Sequence, residues 1–218
     1  MNKKWLCFSI MIFILISTSH IGINYCFAIS SSDKNKLREA CANGDLDKVK
    51  DIVGGTSDVD IDLGFGITPL SISCEKGQLE IAQYFINRGA KLSNKKYMPF
   101  QLAVGNGHLE IVKIILDSGV DVNAKFHDGG TALMEASNEG QISIVKFLLT
   151  KGAKVDEMNS AGSTALLAAV IQGRYDIVKI LLENGADPNV TNKMGFTPLL
   201  FAHDDKTKNL LKRFGAKE

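Results

Sequence analysis

The amino-acid sequence predicts an all-α repeat solenoid, in which short helix-turn-helix units stack side by side and a hairpin-like finger projects from each unit. Glycines recur at 44, 77, 107, 140 and 173, with successive offsets of 33, 30, 33 and 33. The segment TALMEASNEGQISIVKFLLTKGAK at 131–154 aligns with TALLAAVIQGRYDIVKILLENGAD at 164–187. The second half of each segment is too rich in apolar residues for one buried helix face, so neighbouring units must cover it on two sides. A fixed period of this length indicates stacked structural repeats.

The segment 1–28 is predicted to be a secretory signal peptide. Two lysines precede an apolar run at 6–16, and small residues then occupy plausible cleavage positions, Cys26 and Ala28 or Ser17 and Ser19. A membrane-spanning helix needs about 20 predominantly apolar residues, so a retained membrane anchor is the alternative. We expect an exported protein, periplasmic or secreted, with a membrane-anchored form as the alternative. The abundance of Lys, Ile and Asn favours a bacterial source.

The first helix of a unit has a clear beginning and end. Thr164 suits the N-cap of a helix predicted at 165–172, because its hydroxyl can accept a hydrogen bond from an early helical N–H group. Gly173 provides the left-handed residue that ends this helix. In two other units Pro69 and Pro198 follow the threonine, at the first helical position, where the missing N–H costs nothing.

The second helix and the finger follow in each unit. The apolar-rich second helix is predicted at 175–184, and the turn formers and β-branched residues at 187–195 suit a hairpin-like loop that projects from the stack. The finger of the second unit, Lys91 to Tyr97, is three residues shorter than the others. This predicts a notch in the row of fingers between the second and third units.

Several motifs resemble the ankyrin repeat: Thr-Pro-Leu at 68–70 and 197–199, Gly-His-Leu-Glu-Ile-Val at 107–112, and Gly-Val-Asp-Val-Asn-Ala at 119–124. The resemblance covers residues 35 to 216 and implies one ankyrin repeat domain at 32–218. That domain has five repeats, at 35–67, 68–97, 98–130, 131–163 and 164–196, and a short C-terminal capping repeat at 197–216. Terminal repeats need polar outer faces. The residues that fit this role are Lys36, Arg38, Asp47, Lys48 and Lys50 at one end and Lys206, Lys208, Lys212 and Arg213 at the other.

The charge pattern argues against a nucleic-acid partner. Without Lys3 and Lys4 the chain keeps 23 of its 25 basic residues against 24 acidic residues, which gives a net charge of −1. The two signs are interleaved along the chain, whereas a nucleic-acid-binding protein gathers basic residues on one face. We therefore expect no nucleic acid and no small-molecule cofactor. The protein is expected to be a monomer, with membrane contact only if the N-terminal segment is retained.

The two cysteines of the predicted mature chain are not expected to form a disulfide. Cys41 and Cys74 lie one repeat period apart, at the same position of successive units. Neighbouring helices pack about 8 to 10 Å apart, whereas the Cα atoms of a disulfide lie within about 7 Å. Both cysteines are expected to be small buried hydrophobic residues.

No metal site is predicted. Aspartates at 58, 60 and 62 resemble the start of a calcium loop, but Leu63 and Pro69 stand where that loop needs Gly and Glu. No two of the histidines at 108, 127 and 203 have metal-ligand spacing. The ankyrin resemblance implies that His108 has a structural role in the turn between helices. His203 with Asp204 and Asp205 is interpreted as a solvated helix end.

The sequence does not predict an enzyme. Glu135 replaces the usual apolar residue in the first helix of the fourth unit, so it must either line the open groove or pair across the stack. No glycine-rich phosphate loop, nucleophile motif or metal cluster accompanies it. We therefore predict no catalytic residue and no cofactor.

The resemblance implies a protein-protein interaction module that binds its partner through the concave surface of finger tips and first helices. The alternatives are a non-catalytic subunit or regulator of an enzyme, or a membrane-tethered scaffold. Residues chosen for a partner should lie where the units differ and the side chain is free. The candidates on fingers are Phe65, Lys96, Tyr97, Lys125, His127, Asp128, Met158, Lys193, Met194 and Phe196, and those at adjoining helix ends are Asn106, Asn138, Glu139 and Gln172. Some aromatic residues, Phe126 included, could instead fold back between fingers.

Overall fold

The structure is a computed structural model that describes residues 29–54, 56–92 and 98–217. The predicted signal peptide and the candidates Lys96 and Tyr97 lie outside the described residues, as does most of the shortened finger. In these ranges the chain forms twelve helices in six pairs, each pair consisting of an inner helix and an outer helix. The inner helices are α1 (Ser31–Asn43), α3 (Pro69–Lys76), α5 (Pro99–Gly105), α7 (Ala132–Glu139), α9 (Ala165–Ile171) and α11 (Pro198–Phe201). The outer helices are α2 (Leu46–Val53), α4 (Leu79–Asn87), α6 (Leu109–Asp117), α8 (Ile142–Thr150), α10 (Tyr175–Glu183) and α12 (Asp205–Arg213).

The helix pairs stack in chain order and form the predicted solenoid. Each inner helix packs against its own outer helix and against the inner helices of the neighbouring units. Inner helices contact one another more extensively than outer helices do. The units therefore lie closer together on the inner side, so the inner helices and the fingers line a concave surface.

The threonine caps form largely as the sequence predicts. The hydroxyl oxygens of Thr68, Thr131 and Thr164 accept hydrogen bonds from the N–H groups three residues later, at 3.2, 3.4 and 3.3 Å. Gly173 has a φ of 64° and follows α9, which ends at Ile171, one residue before the predicted end. Thr197 differs, because it stands at the N-cap of α11 without a side-chain capping bond.

The outer helices are covered on two sides. Ile177 and Val178 lie next to each other in α10, and 1% and 0% of their surfaces remain exposed. Leu181, one turn later, is also fully buried. Neighbouring side chains of one helix point in different directions. This confirms the prediction that each outer helix is enclosed by the units before and after it.

Both cysteines lie in the core. Cys41 and Cys74 are fully buried free cysteines on successive inner helices. Burial raises the pKa of the Cys41 thiol to about 12 and raises the pKa of the Cys74 thiol as well. Both therefore remain protonated thiols that pack as small hydrophobic residues.

Polar side chains join the inner-helix turns of successive units. In each case the side chain of the residue after the turn glycine bonds a backbone carbonyl oxygen of the preceding unit. That carbonyl belongs to the residue two positions before the turn glycine of the preceding unit. The pairs are Gln78 Nε2 to Ala42 O at 2.9 Å, His108 Nε2 to Glu75 O at 3.0 Å, Gln141 Nε2 to Gly105 O at 3.1 Å and Arg174 Nε to Asn138 O at 3.3 Å. His108 thus has the structural role that the resemblance implies.

Candidate functional site

Three of the described fingers are each shaped by one Asp or Asn side chain. Asp62 Oδ1 accepts hydrogen bonds from the N–H groups of Gly64 and Gly66, at 2.8 and 3.0 Å. The structural interpretation of the aspartates at 58–62 agrees with this finding. The same arrangement recurs in two later fingers, where Asn159 Oδ1 bonds the N–H groups of Ala161 and Ser163 and Asn192 Oδ1 bonds those of Met194 and Phe196.

The third, fourth and fifth fingers are bonded to one another. Ser160 N–H donates to the carbonyl oxygen of Asp128 at 3.1 Å, and Lys193 N–H donates to that of Ala161 at 3.0 Å. At the finger base, Lys154 N–H donates to Asn123 Oδ1 at 2.9 Å. No residue in the ranges that the structure describes adopts a strand. The fingers are therefore turns linked in a row, which keeps the hairpin-like shape without a regular sheet.

Large apolar side chains are exposed on the fingers. The exposed fraction is 82% for Phe65, 76% for Met194, 47% for Met158 and 37% for Phe196. Phe65 also has a φ of 59°, a left-handed conformation that is uncommon for a bulky residue. Phe126 behaves differently, because it is buried and its ring packs edge-on against Phe100 with centroids 6.0 Å apart. The alternative of an aromatic ring folded into the array thus holds for Phe126.

The charged finger candidates in the described residues are all exposed, namely His127, Asp128, Lys193 and Lys125. Asp128 Oδ1 accepts a hydrogen bond from the N–H group of Gly130 in its own finger at 2.9 Å. Lys125 Nζ instead donates to Glu157 Oε2 at 2.5 Å and to the carbonyl oxygen of Met158 at 3.1 Å, and this contact lowers the pKa of Glu157. The ammonium group of Lys125 therefore spans two fingers, and its role in partner binding stays a prediction. Lys125 remains at the surface but is held within the array.

The candidates at the helix ends form a polar edge. Gln172 Nε2 donates to Asn138 Oδ1 at 3.1 Å, and Asn138 Nδ2 donates to Glu139 Oε1 at 2.7 Å. Asn106 lies apart from them and bonds the carbonyl oxygen of Leu102 in its own helix. The structure thus brings Asn138, Glu139 and Gln172 together across the fourth and fifth units.

Glu135 combines the two alternatives that the sequence left open. Its Oε2 accepts a hydrogen bond from Gln101 Nε2 of the preceding inner helix at 3.5 Å. It also lines a polar recess of about 230 Å³ on the concave surface, together with Asp128, Asn138 and Asn159. Burial raises the pKa of the Glu135 carboxyl, and the charges of Glu139 and Asp128 raise it further, whereas the Gln101 hydrogen bond lowers it.

The sequence did not single out three features of the surface. Leu200 is 67% exposed on α11 and Ile171 is 41% exposed at the end of α9. An open recess of about 390 Å³, lined in part by Leu79 and Ile114, lies between the outer helices α4 and α6. Leu200 could have been found by alignment, since it occupies the position of the buried Leu167 in a unit that has no described unit after it.

The family follows from a comparison with known sequences. A family model described as "Ankyrin repeats (3 copies)" matches residues 37–126 and 125–192. The chain belongs to the ankyrin repeat family. Ankyrin repeats are generally protein-protein interaction modules, and their fold is typically non-catalytic.

Relatives of this ankyrin chain include a solved structure and parts of larger proteins. The crystal structure of an ankyrin repeat domain from Acinetobacter baumannii AYE is 32% identical, with a TM-score of 0.73, and the match covers 84% of this chain and 100% of that one. A Caenorhabditis elegans protein, ankyrin repeat and KH domain-containing protein mask-1, is 34% identical over 92 residues, 40% of this chain. The human transient receptor potential cation channel subfamily A member 1 is 31% identical over 109 residues, 46% of this chain. The matches span only 4% of the nematode protein and 10% of the human channel.

The helices in the described part of the ankyrin chain contain between 4 and 13 residues. None of its helices is both long enough and apolar enough to cross a membrane. Within the same residues, no group of three or more His, Cys, Asp or Glu side chains is arranged to hold a metal ion.

Proposed function

We propose that this ankyrin array is exported from the cytoplasm and binds another protein through its concave surface. The observation that carries the proposal is the exposure of four large apolar side chains on fingers, Phe65, Met158, Met194 and Phe196. Aromatic and Met side chains are enriched at protein interfaces, where a few buried anchors carry most of the binding energy. The apolar residues of the helices, in contrast, mostly pack the units together.

The hydrogen bonds between fingers favour binding by the same surface. The third, fourth and fifth fingers are joined by backbone bonds and by the Lys125 contacts with Glu157 and Met158. A surface that is already ordered loses less conformational entropy when a partner binds. The exposed side chains of Met158 and Met194 are thus presented on a preorganised rim.

The polar recess beside the rim adds specificity. Glu135, Asp128, Asn138 and Asn159 provide hydrogen-bond acceptors at its wall. Polar groups of this kind orient a partner more than they add affinity. We infer that apolar anchors of the partner contact the finger tips while a polar segment lies over the recess.

The binding proposal is tested by capture with surface variants. The protein lacking the segment 1–28 is immobilised and incubated with an envelope fraction of its source and with a host extract, and prey is compared by mass spectrometry. Met158→Ala and Tyr97→Ala should each weaken capture while leaving the melting curve unchanged.

The matched controls lie on the outer helices. Lys146→Ala and Lys179→Ala change exposed side chains on α8 and α10, and neither should affect capture or stability. Loss of capture in the outer-helix variants, with capture intact in the finger variants, would show that the concave surface is not the binding site.

The export proposal rests on the lysines, apolar run and cleavage positions of the segment 1–28. Intact-mass measurement of protein from soluble and membrane fractions should show loss of the segment 1–28, or of 1–19 at the alternative position. Full-length protein found only in membranes would contradict cleavage and support a membrane-tethered scaffold.

A further inference from the structure

The last unit exposes an inner-helix position that the fourth and fifth units bury. Leu200 of α11 aligns with Met134 of α7 and Leu167 of α9, because all three lie three residues after the threonine that precedes the helix. Met134 and Leu167 are 6% and 1% exposed, whereas Leu200 is 67% exposed. In each earlier case the inner helix of the next unit packs alongside. The array itself therefore shows that an apolar helix covers this position.

The fifth finger is also open at this end, because it lacks the hydrogen bond that a following finger provides. The carbonyl oxygens of Asp128 and Ala161 accept hydrogen bonds from the next finger. Met194 has the same position in the fifth finger, and no backbone N–H group of the described residues donates to its carbonyl oxygen. The inner side of this end thus has the two features through which an earlier unit contacts the next one. These are an apolar side chain, Leu200, and a carbonyl acceptor, that of Met194.

The outer helix of the last unit, α12, carries charged residues at positions that are apolar in α10. Gly185-Ala186 and Gly215-Ala216 fix the alignment of α10 with α12, because Ala186 N–H bonds Leu181 O and Ala216 N–H bonds Leu211 O, each at 3.0 Å. In this alignment Lys208 replaces the fully buried Val178, and Lys212 replaces Leu182, which is 3% exposed. A complete further repeat with an apolar outer helix would bury these ammonium groups against apolar side chains, which is strongly unfavourable.

We propose that the end face, defined as Leu200, Lys208 and the Met194 carbonyl, docks a single amphipathic helix of a partner protein that carries carboxylates along one flank. The apolar side of that helix covers Leu200 as α9 covers Met134. Its carboxylates lie opposite Lys208, where complementary charge fixes the orientation. This is the helix-on-surface mode of recognition, with anchors at helical spacing.

Charge selects this occupant over a second copy of the chain. Pairing of two end faces would bring Lys208 of each copy close to Lys208 of the other, and like charges across an interface are unfavourable. An acidic amphipathic helix has both an apolar side that can cover Leu200 and carboxylates that can pair with Lys208. The end face is separate from the concave surface except for Met194, so each surface can be tested alone.

The test uses fluorescence anisotropy with the full mature protein. The probe is a labelled, end-capped peptide of about 18 residues, long enough to form a helix in water, with Leu and Ala on one face and Glu along its flanks. We expect saturable binding that weakens as salt is added. Leu200→Asp and Lys208→Glu should each raise the Kd about tenfold or more, the size of a single strong contact. A matched peptide with Lys in place of Glu should not bind.

Three controls separate the outcomes. Lys146→Glu makes the same charge change on exposed α8 and should leave the Kd unchanged, and Leu200→Ala provides a second, milder variant if Leu200→Asp alters the melting curve. Binding that is insensitive to the end-face variants but lost in Met158→Ala would place the peptide on the concave surface and overturn the proposal. Absence of peptide binding, together with Lys208-dependent binding to phosphatidylglycerol vesicles, would overturn it in favour of a membrane surface.

Discussion

The joint between the fourth and fifth units differs from the joint between the fifth and sixth. At the earlier joint, Arg174 and Gln172 bond Asn138 at the inner-helix turn, and Lys193 N–H bonds Ala161 at the finger tip. At the last joint, the described inter-unit hydrogen bonds are those of Asn189 with Gly215 O and with Lys217 N–H, at 3.0 and 2.9 Å. At the finger base of the earlier joint, Asp187 N–H also bonds Asp156 Oδ1 at 3.1 Å. The fifth unit is thus hydrogen-bonded to the fourth at its turn, its finger tip and its finger base. The described hydrogen bonds of the last unit lie at the base, and the Lys206 ammonium group lies over the Tyr175 ring, 3.7 Å from its centroid.

Local chemistry explains the weaker last joint. Asp204 takes the place of Arg174, and an ionised carboxylate cannot donate a hydrogen bond to the preceding unit. Its Oδ1 instead accepts from Thr207 N–H at 2.8 Å and caps α12. The inner helix α11 has only four residues. Since the stability of a solenoid is the sum of unit and neighbour terms, the last unit should open before the others.

The largest expected difference between the two regions concerns a leucine shared by both. Leu181 of α10 and Leu211 of α12 occupy the same position, and both are fully buried. Leu181→Ala should lower the free energy of unfolding by about 2 to 5 kcal/mol, because it leaves a cavity between units. Leu211→Ala should shift the main urea transition less and increase hydrogen exchange in α12, because opening of the last unit limits the loss. Equal shifts of the main transition would show that the last unit unfolds together with the rest.

Most of the fold could be predicted from the sequence, because the same local signals recur in several repeats. The period, the caps at Thr68 and Thr164, the burial of Leu181 and the end of α9 all follow from local signals. The missing cap at Thr197 could not be predicted, since the threonine there looks the same as at 164. In the structure α11 has only four residues, and the Thr197 side chain makes no capping bond.

The candidate site was less predictable, because its contacts join residues far apart in the sequence. Lys125 reaches Glu157, and Glu135 reaches Gln101, each across a unit. Repeat alignment shows which positions vary but not which varied side chains meet. The role of Asp204 was within reach, since Asp is one of the residue types preferred at a helix N-cap.

A smaller effect should separate the two regions at their helix caps. Thr164→Ala removes a hydroxyl that bonds Leu167 N–H, so we expect a loss of about 0.5 to 2 kcal/mol in the free energy of unfolding. Thr197→Ala removes a hydroxyl without a capping bond and should cost clearly less. Urea melts of both variants, measured together, provide the comparison. A larger loss for Thr197→Ala would mean that α11 is capped in solution.

Lowering the pH should change the stability of the two regions in opposite directions, through Glu135 in the fourth unit and Asp204 in the last unit. The pKa of Glu135 is raised above its ordinary value of 4.5, chiefly by burial, so its contribution to stability is present below that value and is lost as pH rises through the folded pKa. The pKa of Asp204 is lowered below 3.8 by hydrogen bonds from Thr207, so its contribution is present above 3.8 and is lost as pH falls through the folded pKa.

Variants isolate these two titrations from those of the other carboxylates. Relative to wild type, Glu135→Gln should gain stability as pH rises from 4 to 7, by less than the loss in Thr164→Ala. Asp204→Asn should reduce the acid-dependent increase of hydrogen exchange in α12. A Glu135→Gln difference that is constant with pH would show that the carboxylate is not desolvated.

The smallest expected effect tests whether backbone or side chain links the fingers. Lys193 and Lys217 both donate their backbone N–H groups to the preceding finger, to Ala161 O and to Asn189 Oδ1, and both side chains are exposed. Alanine keeps the N–H group, so Lys193→Ala and Lys217→Ala should each stay within about 0.5 kcal/mol of wild type in urea melts. Lys193→Pro deletes the donor and should cost more than Lys193→Ala, because the Ala161 carbonyl loses its partner. If Lys193→Ala were as costly as Lys193→Pro, the side chain rather than the backbone would hold the interior row together, and the contrast between the two joints would rest on different contacts.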